Sequence, residues 1–387
     1  MRRLVAAAYV VGILVVTVQR GLLAFANDFA IFRAATWNLV GGVDLYVYRP
    51  EQALDLFKYS PAFALLFAPF AVLPFAIGLA LWNLTGAVLL MVALRQLLPA
   101  REALVAQSLV YLAVLRNAQS AQSNSLVAAL IILSFVALEL EQRWNAAACI
   151  AAGAAIKVFP LVAALLAWTR PNRRRFASTL ALVGVCFALL PLLVTDTTTL
   201  LHQYQSWWAL HAVQSGDAGQ NAMSVLRAAV GVSHPPWMVQ LAGAAMLVLP
   251  LLVGRRAFAD DRRLRVQLLS SVLLFGVLFN HKAEAQSYVI AMAGVAVWWG
   301  SAPAQSWRLA VAALEVVCTN LPSADFVPAV LKTAITPVWR GPIPCTLFWL
   351  MLQGELLLGV WRHRSGRAAA KRYELDRSLP KSSATPG

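Results

Sequence analysis

Residues 76–96 read AIGLALWNLTGAVLLMVALRQ, an apolar run whose one charge, Arg95, lies near its end. A helix of about 20 such residues crosses the hydrocarbon core of a bilayer. The rest of the chain has the same character, since 60% of its 387 residues are hydrophobic and 13% are charged, with a mean hydropathy of +0.68. This composition predicts an all-α, polytopic membrane protein.

About twelve apolar stretches, several of them short for a full span, follow one another along the chain. They are residues 4–24, 76–96, 103–116, 124–140, 145–156, 159–168, 177–194, 236–254, 266–280, 286–300, 309–320 and 343–361. We predict one transmembrane domain over residues 1–361, with about 12 spanning helices. It includes long outer loops at 25–75, with interfacial helices, and at 195–235. Residues 362–387 are expected to be a disordered, basic cytoplasmic tail.

The distribution of basic residues predicts the orientation. With the N-terminus inside, 22 of the 32 Lys and Arg residues fall on the cytoplasmic side, at 2–3, 95–101, 143, 170–175, 255–265, 308 and 362–381. Cytoplasmic loops retain Lys and Arg, so both termini are expected in the cytoplasm. The net charge of +15 therefore reflects the orientation of the chain in the membrane. Nucleic acid is not expected as a partner. A cleavable signal peptide is the alternative interpretation of residues 1–26.

Unusual polar residues gather on the predicted outer side, at the ends of spans or in the loops beside them. They are Asp28, Gln119, Gln122, Asn124, Lys157, Gln220, Asn221, Arg227, His281, Lys282, Glu284 and Gln286. Ionisable groups at or near a bilayer are costly and are functional candidates by default. The sequence therefore predicts a polar cavity at the outer face, with Asp28, the first acidic residue of the chain, as its leading candidate.

These groups also have structural interpretations. Lys157 can extend to the interface, the charges in 281–284 can pair in a solvated turn, and residues 119–124 can cap a helix. Glu315 and Glu355, inside predicted spans, fit a structural or a functional role equally. The sequence leaves these alternatives open.

Several short motifs occur in the order found in a known family. They are Asn27-Asp28-Phe29, Gly41-Gly42 with Leu45-Tyr46, Phe57-Lys58-Tyr59-Ser60-Pro61 with Pro69, Ala121-Gln122-Ser123-Asn124, Lys157-Val158-Phe159-Pro160, Gly219-Gln220-Asn221-Ala222-Met223-Ser224 with Arg227, and Phe279-Asn280-His281-Lys282-Ala283-Glu284. Over residues 27–300 the chain resembles membrane glycosyltransferases of the GT-C type. In particular, it resembles glycosyltransferase family 87, the polyprenyl-phosphate-mannose-dependent mannosyltransferases. Family members often have Gly where this chain has Ala121, and a more His-rich sequence at 281–284.

The resemblance implies a GT-C-like fold and transfer of a hexose, expected to be mannose, from a polyprenyl-phosphate-sugar to a hydroxyl acceptor. The reaction would invert the anomeric carbon at the non-cytoplasmic face. Asp28 is the implied general base, since an attacking hydroxyl must lose its proton. The candidates for binding the donor phosphate, whose developing charge needs cations or donors, are Lys157, Lys282, Arg227 and His281. The candidates for binding sugar or acceptor are Gln122, Asn124, Gln220, Asn221 and Glu284.

The expected partners are the lipid-linked donor, a glycolipid or glycan acceptor, and the lipid bilayer of a bacterial-type plasma (inner) membrane. Neither a cofactor nor a metal is expected, because the acidic pair Asp260-Asp261 is cytoplasmic and surrounded by arginines. A lipid or sugar transporter or flippase is the main alternative, and it would be expected to carry polar sites near the midplane and internal repeats. A structural subunit of an envelope assembly is a third class.

Overall fold

The computed structural model of the protein consists of helices and their connections. It describes residues 2–213, 219–231, 235–302, 305–320, 330 and 342–378, without the side chains of residues 21–22 and 367–378. No β-strand occurs within these ranges. The predicted all-α class is therefore confirmed.

Helices occupy each of the apolar stretches and also lie within the predicted outer loops at 25–75 and 195–235. In chain order they are α1 (Arg2–Thr17, continued by a π turn at Val18–Leu22), α2 (Asn27–Val40), α3 (Pro61–Leu66), α4 (Ala68–Ala71), α5 (Phe75–Leu97), α6 (Ala100–Gln119), α7 (Asn124–Glu139), α8 (Arg143–Ile156), a 3-10 helix (Phe159–Thr169), α9 (Arg173–Leu189, with a 3-10 turn at Leu190–Leu193), α10 (Thr197–Val213), α11 (Ala222–Val230), α12 (Pro236–Asp260), α13 (Arg262–Leu278), a 3-10 turn (Ala285–Ser287), α14 (Tyr288–Ser301), α15 (Ser306–Asn320) and α16 (Pro342–Ser378).

Five helical segments of the described chain are long and apolar enough to cross a membrane. They are Arg2–Arg20, Phe75–Leu97, Arg173–Leu193, Pro236–Asp260 and Pro342–Gly366. The other seven predicted stretches coincide with shorter or less apolar helices, so twelve spans and interfacial helices remain predictions. The tail predicted to be disordered is helical as far as Ser378, and residues 379–387 lie outside the described residues.

The centre of the bundle is formed by α13 and α14, which pack against each other. All residues of α14 from Tyr288 to Gly300 are buried. A helix that is apolar on every side has no face suited to water, so it lies inside the protein or faces lipid. Here the surrounding α6, α7 and α15 cover it. The remaining helices are arranged around this pair.

The two ends of the bundle differ in chemistry. α5 runs antiparallel to α6, because the Asn83 amide donates to the Ala118 carbonyl (3.2 Å) and the Gln107 amide donates to the Met91 carbonyl (3.0 Å). The chain connections at 119–124, 157–158 and 279–287 lie at one end of the bundle, since residues of all three line one cavity.

Arginines gather at the opposite end, around a single carboxylate. Glu139 at the end of α7 accepts hydrogen bonds from Arg265 (2.7 and 2.9 Å) and Arg170 (3.3 Å), and Arg262 lies 3.8 Å away. These ion pairs join α7 to α13 and to the segment before α9.

An ion pair between a buried arginine and a half-buried glutamate joins α13, α14, α15 and α16. Arg308 is fully buried, lies 4.0 Å above the Trp298 ring, and approaches Glu355 at 3.5 Å. Glu355 also accepts hydrogen bonds from Gln267 and Trp298, both at 2.9 Å. Of the two roles left open for Glu355, these contacts support the structural one.

We predict that Glu355→Gln destabilises the protein by roughly 3 kcal/mol, because it leaves the buried Arg308 guanidinium without its counter-charge. Denaturant unfolding in detergent measures this difference. Arg256→Gln, which removes an exposed arginine, is the control and should leave the midpoint unchanged. Equal midpoints for Glu355→Gln and the wild type would contradict the structural role.

Candidate active site

A cavity of about 1100 Å³ opens at the end of the bundle opposite the Glu139 arginines. Its walls come from the start of α2, the 55–59 segment, the 119–122 turn, residues 156–159, α10 and the 279–287 segment. Among the predicted site residues, those that line it are Asp28, Gln122, Lys157, His281, Lys282 and Glu284. The folded chain thus brings together residues that lie up to 256 positions apart in sequence.

Asp28 lies in the first turn of α2, where a carboxylate is favoured by the helix dipole. Its Oδ2 accepts a hydrogen bond from the Gln122 amide at 2.7 Å. Gln122 is in turn held by Tyr59, whose hydroxyl donates to Oε1 (3.4 Å), and by Asn117, whose amide donates to the Gln122 carbonyl (2.7 Å). The carboxylate is therefore oriented by three connected side chains.

The environment of Asp28 favours a proton acceptor that works near neutral pH. Burial, followed by the nearby Glu284 carboxylate, raises the pKa of Asp28 to about 6. The Lys157 ammonium and the Gln122 hydrogen bond act in the opposite direction. A base with a pKa near the working pH is both ionised and able to accept a proton.

Lys157 lies in the non-helical break between α8 and the 3-10 helix. Its Nζ donates to Asn124 Oδ1 at 2.6 Å and lies 6.0 Å from the centre of the Tyr59 ring. Burial lowers the pKa of Lys157 to about 8, although Glu284 and Asp28 raise it. Asn124 is buried at the start of α7 and does not line the cavity. It therefore acts on the cavity through Lys157.

The 279–287 segment is held in place by the residues before α11. The Asn221 amide donates to the carbonyls of Asn280 (3.3 Å) and His281 (3.2 Å), and the Gln220 N–H donates to the Ala283 carbonyl (2.7 Å). A Cβ on Gly219 would lie 2.6 Å from the His281 carbonyl oxygen. Glycine is required there because the two backbones approach so closely.

Four predicted site residues thus lie outside the cavity wall, namely Asn124, described above, and Gln220, Asn221 and Arg227. Asn221 is fully buried and caps α11 through a reciprocal pair of hydrogen bonds with Ser224. Gln220 and Arg227 are exposed and are not among the lining residues. Asn221 contacts the loop that carries His281 and Lys282, so its effect on the cavity is indirect.

Several cavity residues were not assigned to the site by the sequence analysis, including Tyr59, Arg116, Trp207 and His211. Arg116 is an ionisable residue in an apolar stretch, which is a signal for function. Trp207 and His211 are one turn apart on α10, and both contact the Lys58 carbonyl at 3.2 Å. Aromatic side chains in outer loops commonly anchor a protein at the membrane interface. The residue types of Trp207 and His211 therefore do not by themselves indicate a position in the cavity wall.

Within the described residues, no group of three His, Cys, Asp or Glu side chains could hold a metal ion. The arrangement that the cavity does offer is a half-buried carboxylate and a half-buried ammonium on neighbouring walls. Such a pair can accept a proton from one substrate and stabilise negative charge on another.

Comparison with protein families identifies the chain. A model of glycosyltransferase family 87 matches residues 57–280, more than half of the sequence. The chain belongs to glycosyltransferase family 87. A search of curated proteins finds no match.

The match agrees with the resemblance read from the motifs. The matched range of this family 87 enzyme includes Tyr59, Gln122, Lys157 and Asn221, but it begins after Asp28 and ends before His281. The assignment of Asp28 therefore depends on its position in the cavity and on the motif around it.

Ala121, the departure from the family pattern before Gln122, has a backbone φ of 51°. Glycine adopts this left-handed conformation freely, whereas other residues are strained by roughly 1–2 kcal/mol. The Ala121 carbonyl accepts a hydrogen bond from Trp82 Nε1 at 2.7 Å, which fixes the turn.

We predict that Ala121→Gly keeps full activity and changes the stability by less than about 1 kcal/mol, because relief of strain is offset by the flexibility of unfolded glycine. Ala121→Val should lower both stability and activity, since a β-branched residue fits this conformation poorly. Thermal unfolding and transfer assays of both variants provide the measurement. Equal losses in the two variants would show that the left-handed turn is not the constraint.

Proposed function

We propose that this membrane glycosyltransferase transfers a hexose, with mannose as the expected sugar, from a polyprenyl-phosphate-sugar to a hydroxyl acceptor, inverting the anomeric carbon. The coarser function follows from its membership of a glycosyltransferase family and from its helices suited to a bilayer. The observation that carries this proposal is the Asp28 carboxylate, held by Gln122 in the same cavity as the Lys157 ammonium.

In the proposed reaction Asp28 is the general base. The acceptor hydroxyl gives its proton to the Asp28 carboxylate while its oxygen forms a bond to the anomeric carbon. The bond from that carbon to the phosphate oxygen breaks, and its electron pair leaves with the polyprenyl phosphate. A single displacement from the opposite face inverts the anomeric centre, and no nucleophilic side chain is needed.

The departing phosphate gains negative charge, which fixed cations stabilise. Lys157 is the first candidate, since Asn124 takes one of the three donors of its ammonium. Lys282 is the second, and burial together with the nearby Lys58 lowers the pKa of its ammonium. Glu284 also lines the cavity, where its carboxylate is suited to accepting sugar hydroxyls.

For the membrane arrangement, we propose about twelve spans, cytoplasmic termini and a cavity that opens at the outer face of a bacterial-type plasma membrane. The distribution of the basic residues supports this orientation. The polyprenyl chain of the donor would remain in the bilayer while its phosphate reaches Lys157 from the membrane interface. Family membership supports this function over the transporter alternative.

We predict that Asp28→Asn abolishes transfer while leaving expression and thermal stability nearly unchanged, because the amide keeps the shape of the side chain but accepts no proton at neutral pH. The assay incubates purified protein with radiolabelled polyprenyl-phosphate-mannose and a membrane lipid extract, and identifies labelled products.

Glu51→Gln, at an exposed carboxylate of the same loop, is the matched control and should retain transfer. A folded Asp28→Asn protein with near wild-type turnover would exclude Asp28 as the base. Absence of any labelled product with the wild type would count against the mannose donor.

The pKa values of Asp28 and Lys157 predict a bell-shaped pH dependence of kcat/KM. Activity should rise as Asp28 loses its proton near pH 6, and fall as Lys157 loses its proton near pH 8.

Lys157→Met should lower kcat/KM by about ten- to a hundredfold, the effect of a lost charge-assisted hydrogen bond, and should remove the alkaline limb.

Lys282→Met should also weaken the use of the donor. Lys58 is unsuitable as a control, because it lines the same cavity and pairs with Asp55 at 2.7 Å. Lys371→Met, in the extension of α16, serves instead. Wild-type donor affinity and turnover in both Lys157→Met and Lys282→Met would place the phosphate elsewhere, with His281 in the cavity wall and Arg227 outside it as the next residues to examine.

A further inference from the structure

A second cavity, of about 700 Å³, forms a groove between α8, the 3-10 helix and α9. Its walls are mainly small apolar side chains, among them Ala151, Ala154, Ala164, Ala177, Ala181 and Gly184. Residues 173–188 of α9 border its whole length, which at 1.5 Å per residue is roughly 22 Å. This is more than half of the roughly 30 Å hydrocarbon core, so the groove has the length of a single lipid chain.

The groove ends in arginines on the side away from Asp28. Arg173 and Arg174 border it there, and the Arg173 guanidinium lies 4.6 Å above the Trp168 ring. One buried nitrogen of Arg173, Nη1, has no hydrogen-bond partner among the described residues. A buried guanidinium N–H without an acceptor is costly, so this nitrogen is suited to an anionic ligand.

A smaller pocket of about 320 Å³ adjoins this end and shares Arg173 with the groove. Arg143, Arg170 and Glu141 also line it. Arg170 is already paired with Glu139, whereas Arg143 lies against the ring of its neighbour Trp144. The net charge at this end is therefore positive, because the single exposed carboxylate of Glu141 faces three arginines, Arg143, Arg173 and Arg174.

We propose that this groove and pocket together bind one anionic phospholipid. Its phosphate headgroup lies among Arg143, Arg173 and Arg174, and one acyl chain lies along the alanine-lined groove. Basic pockets between membrane helices on the cytoplasmic side are suited to anionic headgroups. The first backbone N–H groups of α9 add to the site, since Asn172 provides no side-chain cap there.

The other possible occupant is the isoprenoid chain of the sugar donor. Trp207 borders both the groove and the Asp28 cavity, so such a chain would enter from the opposite end. The charges favour the phospholipid, because the arginines of the groove lie at the end away from the active site and Lys157 does not line it. The proposal does not depend on the sugar or acceptor.

The test measures binding of dioleoylphosphatidylglycerol to the purified, delipidated protein in a neutral detergent, by native mass spectrometry and thermal shift. Binding of this lipid is expected, with much weaker binding of dioleoylphosphatidylcholine and none of glycerol 3-phosphate, which lacks the chains. The Arg143→Gln, Arg173→Gln double variant should bind roughly 30-fold more weakly, at about 1 kcal/mol for each arginine.

Arg175→Gln is the matched control, because Arg175 is exposed and borders neither cavity. Arg143→Gln alone changes an exposed side chain, so it remains informative if the double variant does not fold. Gly184→Leu tests the groove, since a side chain added at Gly184 enters open space. It should weaken phosphatidylglycerol binding and leave donor KM unchanged.

Equal binding of the neutral and the anionic lipid would overturn the proposal, as would unchanged binding by the arginine variants. Tight binding of glycerol 3-phosphate would reduce the site to an anion pocket and would also overturn it. If Gly184→Leu raises donor KM while phosphatidylglycerol binding is unchanged, the groove holds the donor chain instead. A wild type that binds the lipid but transfers no mannose would contradict the proposed donor and leave this inference intact.

Discussion

The constraint on which the structure depends is that backbone polar groups in a bilayer must be hydrogen-bonded within the protein. Helices meet this requirement along their length, which leaves the breaks between helices as the places where polar chemistry can be built. The cavity is assembled from such breaks. Each is tied by a side chain to a backbone carbonyl: Asn117 donates to Gln122, Ser60 to Ala155, and Gln240 to Phe279.

Two physical classes can be distinguished among the ionisable groups that the structure describes. In the first, opposite charges contact each other, as with Arg308 and Glu355 or with Glu139 and its arginines. Removing one partner of such a pair mainly costs stability. In the second, Asp28 and Lys157 are held by the neutral amides of Gln122 and Asn124. Their charges are positioned without being neutralised by a direct contact, which leaves them available to a substrate.

The cavity is held together by contacts between residues that lie far apart in the sequence. Asp28 and Gln122 are 94 residues apart, and Lys157 and Asn124 are 33 apart. The loop with His281 and Lys282 is held by Asn221, about 60 residues earlier. The side chains of Gln122 and Asn124 therefore orient charged groups directly, whereas the Asn221 amide holds the backbone of the loop that carries His281 and Lys282.

By itself, the sequence determined the all-α membrane class, the family, and the charged residues Asp28 and Lys157 that stand out against an apolar background. These follow from composition, periodicity and local motifs, which do not depend on how the helices are arranged around one another. Only the tertiary structure decided which polar side chains face the cavity. In the structure, Tyr59 and Arg116 lie in the cavity wall, Asn124 and Asn221 are buried behind this wall, and Gln220 lies outside it. The physical reason is that a motif places a residue at the end of a helix, whereas the direction of its side chain is set by packing against distant parts of the chain.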